Sequence, residues 1–347
     1  TISSTICNII ISRAMPRLNS NVFSQLNGVN GITITDLPPN QSFSFATGDF
    51  NGDGIDDLAI GNSQSNSAYL ILGPLNATTT TGSVAFDTLI DGVKGFQVRS
   101  SKSDDDLGSS VALLDINGDS KKDLIITSTI SSSQSYLAVI FGASGPYAPS
   151  LDVYDDETFD SLGIIIYGVS NDRMGYSVTG GDVNGDDVED IVVSASIGGS
   201  TYVIFGNRNT TSLPSSVTSL NGENGFHIKT AVSSLAVSDI DQDGCDDVLI
   251  NTGGGTHYVL FGAEEFPPSV SVTSFNGMSG FSITARFDIG FEQLMASSDI
   301  NGDGYPDVLI GSPAGLTGKI YCVFGAVRPF PVNVNVKDLS GINGFEV

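Results

Sequence analysis

Cationic residues are scarce in this chain, and so are cysteine, histidine and tryptophan. Its 347 residues include 14 Lys plus Arg against 39 Asp plus Glu, with 3 Cys, 2 His and no Trp. A formal net charge of −25 disfavours nucleic acid and anionic membrane surfaces as partners, because phosphate binding needs clustered cations. Three cysteines are too few for a disulfide scaffold. Neither histidine lies in a nucleophile or metal motif, and the chain has no Gly-x-Ser-x-Gly elbow and no phosphate-binding loop.

Long apolar runs are missing as well. No stretch approaches the roughly 18 to 20 apolar residues of a membrane span, and runs such as Ile164 to Tyr167 have the length of strands. About 40% of the residues are hydrophobic and only 15% are charged, which is enough to build a core. We therefore expect a folded chain that does not insert into a membrane.

The acidic residues are concentrated rather than spread. Half of them, 20 of 39, lie in five nine-residue segments that begin at Asp49, Asp115, Asp182, Asp239 and Asp299. Every segment has Asp at position 1, Asn or Asp at position 3, and Asp at positions 5 and 9. The starting points lie 57 to 67 residues apart, so the chain contains about 5.5 units of one repeat.

Each repeat contains four short segments that are typical of strands. An apolar run such as Asp190-Ile-Val-Val193 follows the acidic segment, and an aromatic run ending in Gly, such as Tyr202-Val-Ile-Phe-Gly206, comes next. A third run, for example Gly225-Phe-His-Ile228, follows a turn, and a fourth, such as Gly175-Tyr-Ser-Val178, leads into an acidic segment. These runs are rich in β-branched and aromatic residues and are bounded by Gly, Asn and Ser. Four strands in about 60 residues indicate the blade of a β-propeller.

The predicted fold is therefore all-β, a single β-propeller domain over residues 1–347. Residues 1–34 are expected to end a preceding blade, and the five blades are predicted at 35–98, 99–166, 167–228, 229–283 and 284–347. Since five full blades and a half do not close a ring in the usual way, we expect the rest of the propeller to lie outside these residues.

The acidic segments, which we call loops 1 to 5, have the chemistry of calcium sites. Calcium takes six to eight oxygen ligands, which alternate carboxylates in a tight loop can supply, and position 7 can contribute its backbone carbonyl whatever its side chain. An EF-hand would need Glu at position 12 and flanking helices, so that interpretation fails. Magnesium prefers ideal octahedral geometry and zinc prefers His or Cys, which leaves both as less favoured alternatives. The predicted ligands are Asp49, Asn51, Asp53, Ile55 and Asp57 in loop 1; Asp115, Asn117, Asp119, Lys121 and Asp123 in loop 2; Asp182, Asn184, Asp186, Val188 and Asp190 in loop 3; Asp239, Asp241, Asp243, Cys245 and Asp247 in loop 4; and Asp299, Asn301, Asp303, Tyr305 and Asp307 in loop 5.

A plain β-turn is the competing interpretation of each loop, because turns favour the same residues. Recurrence of the pattern five times in register favours cation sites, with up to five Ca²⁺ in the chain. The loops are nevertheless unequal. Position 6 needs a positive φ, and loops 2 and 3 have Ser120 and Asp187 there instead of Gly. Loop 2 also carries Lys121 and Lys122, so we expect it to be the weakest site.

The pattern Asp-x-Asn-Gly-Asp-Gly-x-x-Asp, followed by an aliphatic strand and then Tyr-Val-Ile-Phe-Gly, resembles the FG-GAP repeat. That family includes the N-terminal β-propeller of integrin α subunits, and the resemblance covers the chain from about residue 31. It implies a propeller that is typically seven-bladed, with six blades as the alternative, and calcium loops between the first two strands of a blade. The Gly-Ala-Pro element of the family is only partly preserved, as in Gly311-Ser-Pro313. Such arrays look more like those of large secreted or surface proteins of microbes and protists than like an animal integrin.

We predict a non-catalytic, calcium-stabilised module of the extracellular space or cell surface that acts in adhesion or in a structural assembly. Its partners would be a protein or glycan ligand bound through the propeller loops, or copies of itself. One alternative is the propeller domain of a secreted polysaccharide-acting enzyme, with acids such as Asp104 to Asp106 or Asp155 to Glu157 in acid–base roles. An intracellular scaffold is a third possibility. If the chain is secreted, Asn40, Asn76 and Asn209 lie in sequons for glycosylation.

Overall fold

The computed structural model describes residues 33–37, 41–75, 83–129, 134–197, 199–230, 232–253, 255–285, 294–312 and 319–347. Within these ranges the regular structure is almost entirely β. One short helix, α1 (Asp156–Phe159), and six single-turn 3₁₀ helices complete it: Ser63–Ser65, Phe86–Thr88, Thr210–Ser212, Val217–Ser219, Val272–Ser274 and Val336–Asp338. No helix in the described part of the chain is long and apolar enough to cross a bilayer.

Five antiparallel four-stranded units follow one another along the chain, and they are the blades of a β-propeller, which confirms the predicted fold class. Strands are numbered in chain order. Blade 1 contains β2 (Ser44–Gly48), β3 (Asp57–Asn62), β4 (Ser67–Ile71) and β6 (Gly95–Arg99); blade 2 contains β7 (Leu107–Leu114), β8 (Asp123–Ser128), β9 (Gln134–Ile140) and β11 (Gly163–Ser170); blade 3 contains β12 (Met174–Gly181), β13 (Asp190–Ala195), β14 (Ser200–Ile204) and β15 (Gly225–Lys229); blade 4 contains β16 (Ser234–Ser238), β17 (Asp247–Asn251), β18 (Thr256–Leu260) and β20 (Gly280–Thr284); and blade 5 contains β21 (Leu294–Ser298), β22 (Asp307–Ser312), β23 (Lys319–Val323) and β25 (Gly344–Glu346).

The second strand of blades 1 to 4 is buried along its whole length, because both faces of its sheet are covered. Every residue of β3, β8, β13 and β17 is buried. In β8, Leu124 and Ile126 pack in one cluster with the core of blade 1, whereas Ile125 packs in another cluster with the core of blade 3. Successive side chains of a strand point to opposite faces, so each blade contributes to two cores, one on either side.

A fifth, short strand joins each blade to the next, and the sequence analysis does not predict it. These link strands lie between the third and fourth strands of one blade and pair in parallel with the outer strand of the blade before. They are β5 (Ser83–Ala85), which pairs with β1 (Thr33–Thr35); β10 (Ser150–Asp152), which pairs with β6; β19 (Ser269–Val270), which pairs with β15; and β24 (Asn333–Asn335), which pairs with β20. Between blades 2 and 3 a single parallel bridge, Tyr167 to Ser216, takes their place.

Aromatic pairs reinforce the same junctions. The second residue of an outer strand stacks on a ring that precedes the next link strand, as Phe226 does on Phe266, with centroids 4.1 Å apart, and Phe281 on Phe330, at 4.7 Å. Phe226 and Phe281 are fully buried. The junctions between blades 3 and 4 and between blades 4 and 5 therefore combine backbone pairing with a stacked ring.

Removal of one such ring should destabilise the chain. Phe281→Ala leaves a cavity beside Phe330, and we expect a loss of about 3–5 kcal/mol in the free energy of unfolding, measured by urea denaturation. Ile342→Ala is the matched control, since that side chain is 89% exposed and its removal should change stability by less than about 0.5 kcal/mol. Equal effects of the two substitutions would contradict the proposed junction.

Candidate metal centres

The five acidic loops occupy the same place in five consecutive blades. Each connects the first strand of a blade to the second, and its position 9 is the first residue of that second strand. All 25 residues predicted as ligands lie within the described part of the chain. The structure therefore places five equivalent acidic turns in one series of blades.

One hydrogen-bond pattern shapes all five loops. A carboxylate oxygen of position 1 accepts from the backbone N–H of position 6 at 2.7–3.0 Å. A side-chain oxygen of position 3 accepts from the N–H of position 5 at 2.8–3.3 Å. The position 5 carboxylate accepts from the N–H of position 7 at 2.9–3.0 Å. Because each side chain turns back onto the amide that follows it, the acidic oxygens are held on the inside of the turn.

Position 6 has a left-handed backbone in every loop. Its φ is 83° at Gly54, 71° at Ser120, 62° at Asp187, 94° at Gly244 and 98° at Gly304. A residue with a Cβ is strained in this region, by roughly 1–2 kcal/mol. Loops 2 and 3 therefore carry a backbone strain that the other three avoid. The hydrogen bond from the N–H of position 6 to the carboxylate of position 1 stabilises this conformation.

The position 9 carboxylates are the most deeply placed acids of the loops. All five are at most 1% exposed: Asp57, Asp123, Asp190, Asp247 and Asp307. One oxygen accepts from the N–H of position 2 at 2.8–3.0 Å. The other accepts from the N–H of the Gly that follows the third strand, at 2.8–3.0 Å. Position 9 thus fastens the loop to the far side of its own blade.

That glycine has no room for a side chain. A Cβ at Gly206 would lie 2.4 Å from the carbonyl oxygen of Glu189, and one at Gly325 would lie 2.3 Å from that of Pro306. The Gly at the end of each Tyr-Val-Ile-Phe-Gly run is therefore required by the close approach of two backbones. The sequence analysis uses these glycines only as strand boundaries and misses their role as donors to position 9.

Burial raises the pKa of the position 9 carboxyl in loops 1 to 4. Desolvation raises the pKa of Asp57 to about 6, that of Asp123 to about 7 and that of Asp247 to about 8, although backbone N–H donors act in the opposite direction. Burial also raises the pKa of Asp190 well above its usual range. A bound cation would oppose this effect, because it favours the ionised form of each carboxyl.

The donor set fits a hard divalent cation. The side chains at positions 1, 3, 5 and 9 are Asp or Asn, which bind a cation through their carboxylate or amide oxygens. Position 7 offers its backbone carbonyl, even where the residue is Cys245. In loop 4, carboxylate oxygens of Asp239, Asp241 and Asp247 lie within 4.8 Å of one another. Two oxygens bound to one calcium at about 2.4 Å can be no farther apart than about 4.8 Å, so this spacing suits calcium.

Neighbouring loops are hydrogen-bonded to each other. The N–H of position 8 donates to the position 1 carbonyl of the loop before it: Lys122 to Asp49 at 2.8 Å, Glu189 to Asp115 at 3.2 Å, and Asp246 to Asp182 at 2.7 Å. A change in the shape of one loop is therefore transmitted to the next blade. Loop 5 lacks this donor, because its position 8 is Pro306.

Cationic side chains distinguish individual loops. The Nζ of Lys121 lies 3.6 Å from a carboxylate oxygen of Asp119 inside loop 2, where it would compete with a metal ion for that ligand. Arg208 donates only to backbone carbonyls of loop 3, those of Asp186 and Asp187. Arg328 forms ion pairs with Asp241 and Asp243 of loop 4.

The other acids singled out in the sequence have structural partners. Asp105, in the run Asp104 to Asp106, is 2% exposed and accepts hydrogen bonds from the hydroxyls of Tyr136 at 2.7 Å and Tyr154 at 2.8 Å. Asp155 precedes α1 and accepts from the Thr158 hydroxyl at 3.1 Å. Both acids therefore have hydrogen-bond partners within the fold.

The remaining candidates divide between the core and the surface. His257 and Cys322 are fully buried, and burial lowers the pKa of His257 to about 4. Cys245 is also buried, in contact range of loop 3. Asn209 is exposed, so its sequon is accessible, whereas Asn40 and Asn76 lie outside the described residues.

Comparison with known families identifies the repeat. The profile of the FG-GAP repeat matches residues 43–85, 174–209 and 292–322. Each of these segments contains one of the acidic loops, namely loops 1, 3 and 5.

Several integrin α chains are similar in sequence. Integrin alpha pat-2 of Caenorhabditis elegans is 28% identical over 187 residues, which is 46% of this chain and 15% of that protein. Integrin alpha-PS5 of Drosophila melanogaster is 28% identical over 204 residues, or 55% of this chain and 19% of that protein. Integrin alpha-PS3 of the same fly is 26% identical over 67% of this chain. The matched region spans at most about a fifth of the length of these relatives.

Among solved structures, a crystal structure of BBS1N in complex with ARL6DN, soaked with lead, is similar over 84% of this chain and 83% of that one. Its sequence identity is 13% and its TM-score is 0.34, a likeness too weak to support a structural argument.

Loss of a position 9 carboxylate should destabilise a blade even without metal. Asp190→Ala leaves the buried N–H of Gly206 without its acceptor and the N–H of Val183 with only the Gly181 carbonyl at 3.1 Å, and we expect a loss of about 2–4 kcal/mol in the free energy of unfolding in calcium-free buffer. The control is Asp187→Asn in the same loop, which removes the same charge from an exposed residue whose positive φ Asn tolerates. Comparable losses from the two variants would refute the structural role of position 9.

The raised pKa values predict that the calcium-free chain loses stability as pH rises. Unfolded carboxyls ionise near pH 4, so between about pH 4 and the folded-state pKa values of about 6 to 8 the folded chain holds protons that the unfolded chain has released. Stability is therefore greatest at acid pH and falls through this window. Thermal unfolding midpoints of metal-stripped protein at pH 5 and pH 8 test this, and a midpoint that is unchanged or higher at pH 8 would count against it. Saturating calcium should flatten the slope.

Proposed function

The chain is an integrin α-like FG-GAP repeat β-propeller, and on that premise we propose that it is a calcium-binding, non-catalytic adhesion or interaction module of the extracellular space. The observation that carries this proposal is the identical oxygen framework of the five loops. A turn that gathers carboxylates, carbonyls and amide oxygens, and excludes His and thiolate ligands, supports calcium more than zinc.

Calcium would act chiefly as a structural element. In its absence each loop places at least three carboxylates in one short turn, and position 9 is desolvated as well. Five Ca²⁺ ions would offset a net charge of −25 to leave about −15. Because loop-to-loop hydrogen bonds join blades 1 to 4, neutralisation of one loop would also stiffen the junction with its neighbour.

An extracellular location is supported by the acidic loops and the family. Weak calcium sites suit the millimolar calcium found outside cells. Exposed Asn209 in a sequon agrees with a secreted chain.

The binding partner would be a protein or glycan ligand, or another copy of the chain, held by the loops that connect the strands. Integrin α chains are the relatives in sequence, which supports adhesion as the biological role. The structural partners of Asp105 and Asp155 speak against the polysaccharide-acting alternative.

Calcium should raise the thermal unfolding midpoint of the metal-stripped full chain by several degrees. Ligand at 100 times its dissociation constant stabilises by about 2.7 kcal/mol per site, and magnesium at the same concentration should stabilise less. Isothermal titration should show binding of up to five ions per chain. An absence of both heat and midpoint shift would refute the proposal.

Variants of two loops separate calcium binding from general charge effects. Asp303→Asn in loop 5 should remove a larger part of the calcium-induced midpoint shift than Asp119→Asn in loop 2, where Lys121 already opposes the cation. Both variants remove one charge from position 5, so equal effects would show that the shift is non-specific.

A further inference from the structure

Loop 4 differs from the other loops at position 3. In loops 1, 3 and 5 this residue is Asn, and its Nδ2 donates to the position 5 carboxylate at 2.8–3.3 Å. Loop 4 has Asp241 there, which is 4% exposed and has no side-chain N–H to donate to Asp243. Two carboxylates therefore lie at a place where loops 1, 3 and 5 have a hydrogen bond.

A guanidinium from the next blade fills this place. Arg328 follows the Phe-Gly pair of blade 5, and its Nε pairs with Asp241 Oδ2 while one terminal nitrogen pairs with Asp243 Oδ2. A planar guanidinium that contacts two carboxylates in this way is a charge partner of both. Arg328 thus places a positive charge beside Asp243, where Asn places an N–H donor in loops 1, 3 and 5.

The Arg328 side chain is built into the junction between blades 4 and 5. Only 20% of it is exposed, its guanidinium carbon lies 4.8 Å from the centre of the Phe261 ring, and another of its nitrogens donates to the Met278 carbonyl at 3.2 Å. A side chain restrained on three sides is a fixed part of the loop 4 structure rather than a mobile surface arginine.

This junction also lacks the backbone bond that links the loops of blades 1 to 4. Pro306 occupies position 8 of loop 5 and has no N–H for the Asp239 carbonyl. Two side-chain contacts join the loops of blades 4 and 5 instead: the Arg328 ion pairs and a hydrogen bond from Gln242 Nε2 to the Gly304 carbonyl.

We propose that Arg328 is a built-in counter-ion of loop 4, which ties blade 4 to blade 5 without metal and competes with calcium for Asp241 and Asp243. Loop 4 has four carboxylates at positions 1, 3, 5 and 9, where loops 1, 3 and 5 have three. The positive charge of Arg328 offsets the additional carboxylate, so the net charge of these four positions with Arg328 equals that of the three carboxylates in each of those loops. The guanidinium occupies lone pairs of two ligands and repels a divalent ion. Loop 4 therefore needs calcium less than loops 1, 3 and 5 do. The calcium part of this inference rests on the proposed function; the counter-ion part does not.

A double-mutant cycle in calcium-free buffer tests the counter-ion. Arg328→Gln should lower the thermal unfolding midpoint clearly in the full chain, because the buried carboxylate of Asp241 and the exposed carboxylate of Asp243 lose their shared partner. In the Asp241→Asn background, where position 3 regains an N–H donor, the same substitution should lower it much less. An equal loss in both backgrounds would overturn the proposal, because it would assign the effect to the Phe261 and Met278 contacts alone.

Calcium titration tests the competition. Arg328→Gln should strengthen calcium binding at loop 4 by about tenfold or more, since a positive charge in contact with two ligands is removed. Arg328→Lys keeps the charge and should stay near the wild-type affinity. Arg99 lies on the outer strand β6 and pairs with Asp152. Arg99→Gln removes a cation far along the chain from loop 4 and should leave the calcium affinity unchanged.

A second mutant background shows whether the gain in calcium affinity arises at loop 4. In Asp239→Ala protein, where loop 4 lacks its position 1 ligand, Arg328→Gln should bring no gain in affinity. A gain that persists there, or no gain in the otherwise wild-type chain, would overturn the competition. If neither the wild type nor Arg328→Gln bound calcium, the proposed function would fail, and the calcium-free cycle would still decide whether Arg328 is the counter-ion.

Discussion

A buried carboxylate at position 9 of each acidic loop is the interaction on which each blade depends. Its two oxygens accept backbone N–H groups from opposite sides, one from the loop and one from the Gly after the third strand. The first three strands of a blade are thereby fixed around a single side chain. The cost is a desolvated acid, visible in the raised pKa values of about 6 to 8 at Asp57, Asp123 and Asp247. A proton or a cation can offset that cost, and the remaining acids of the loop are arranged to hold a cation.

The blades are joined by contacts that recur from one junction to the next. Each sheet is apolar on both faces and shares one core with the blade before and another with the blade after. Link strands, stacked rings and loop-to-loop hydrogen bonds repeat at successive junctions, so stability is a sum of blade and junction contributions. The junction between blades 4 and 5 deviates in its loops, where Pro306 removes a backbone donor and Arg328 forms the contact instead.

The sequence predicts the repeated features well and the long-range ones poorly. Blade fold, strand order and the position of the loops follow from apolar runs, Gly boundaries and fivefold spacing, all of which are local signals. The link strands are two or three residues long and pair in parallel with another blade, so no periodicity reveals them. Arg328 lies 85 residues after Asp243, and nothing local connects them. The Gly donor to position 9 could have been found, because Phe-Gly recurs at a similar distance after the Asp in four of the five repeats. Position 9 appears in the sequence as a metal ligand only, whereas its burial and backbone bonds also give it a structural role.

The central claim is that the loops combine a structural frame with a calcium site. The most direct test is a crystal structure of the full chain grown in millimolar calcium, with an anomalous difference map to locate the ions. The account predicts peaks inside the loops, each within about 2.3–2.6 Å of side-chain oxygens at positions 1, 3, 5 and 9 and of the position 7 carbonyl, and a weaker peak in loop 4 that strengthens in Arg328→Gln protein. Loops of unchanged shape that contain only water under these conditions would contradict it.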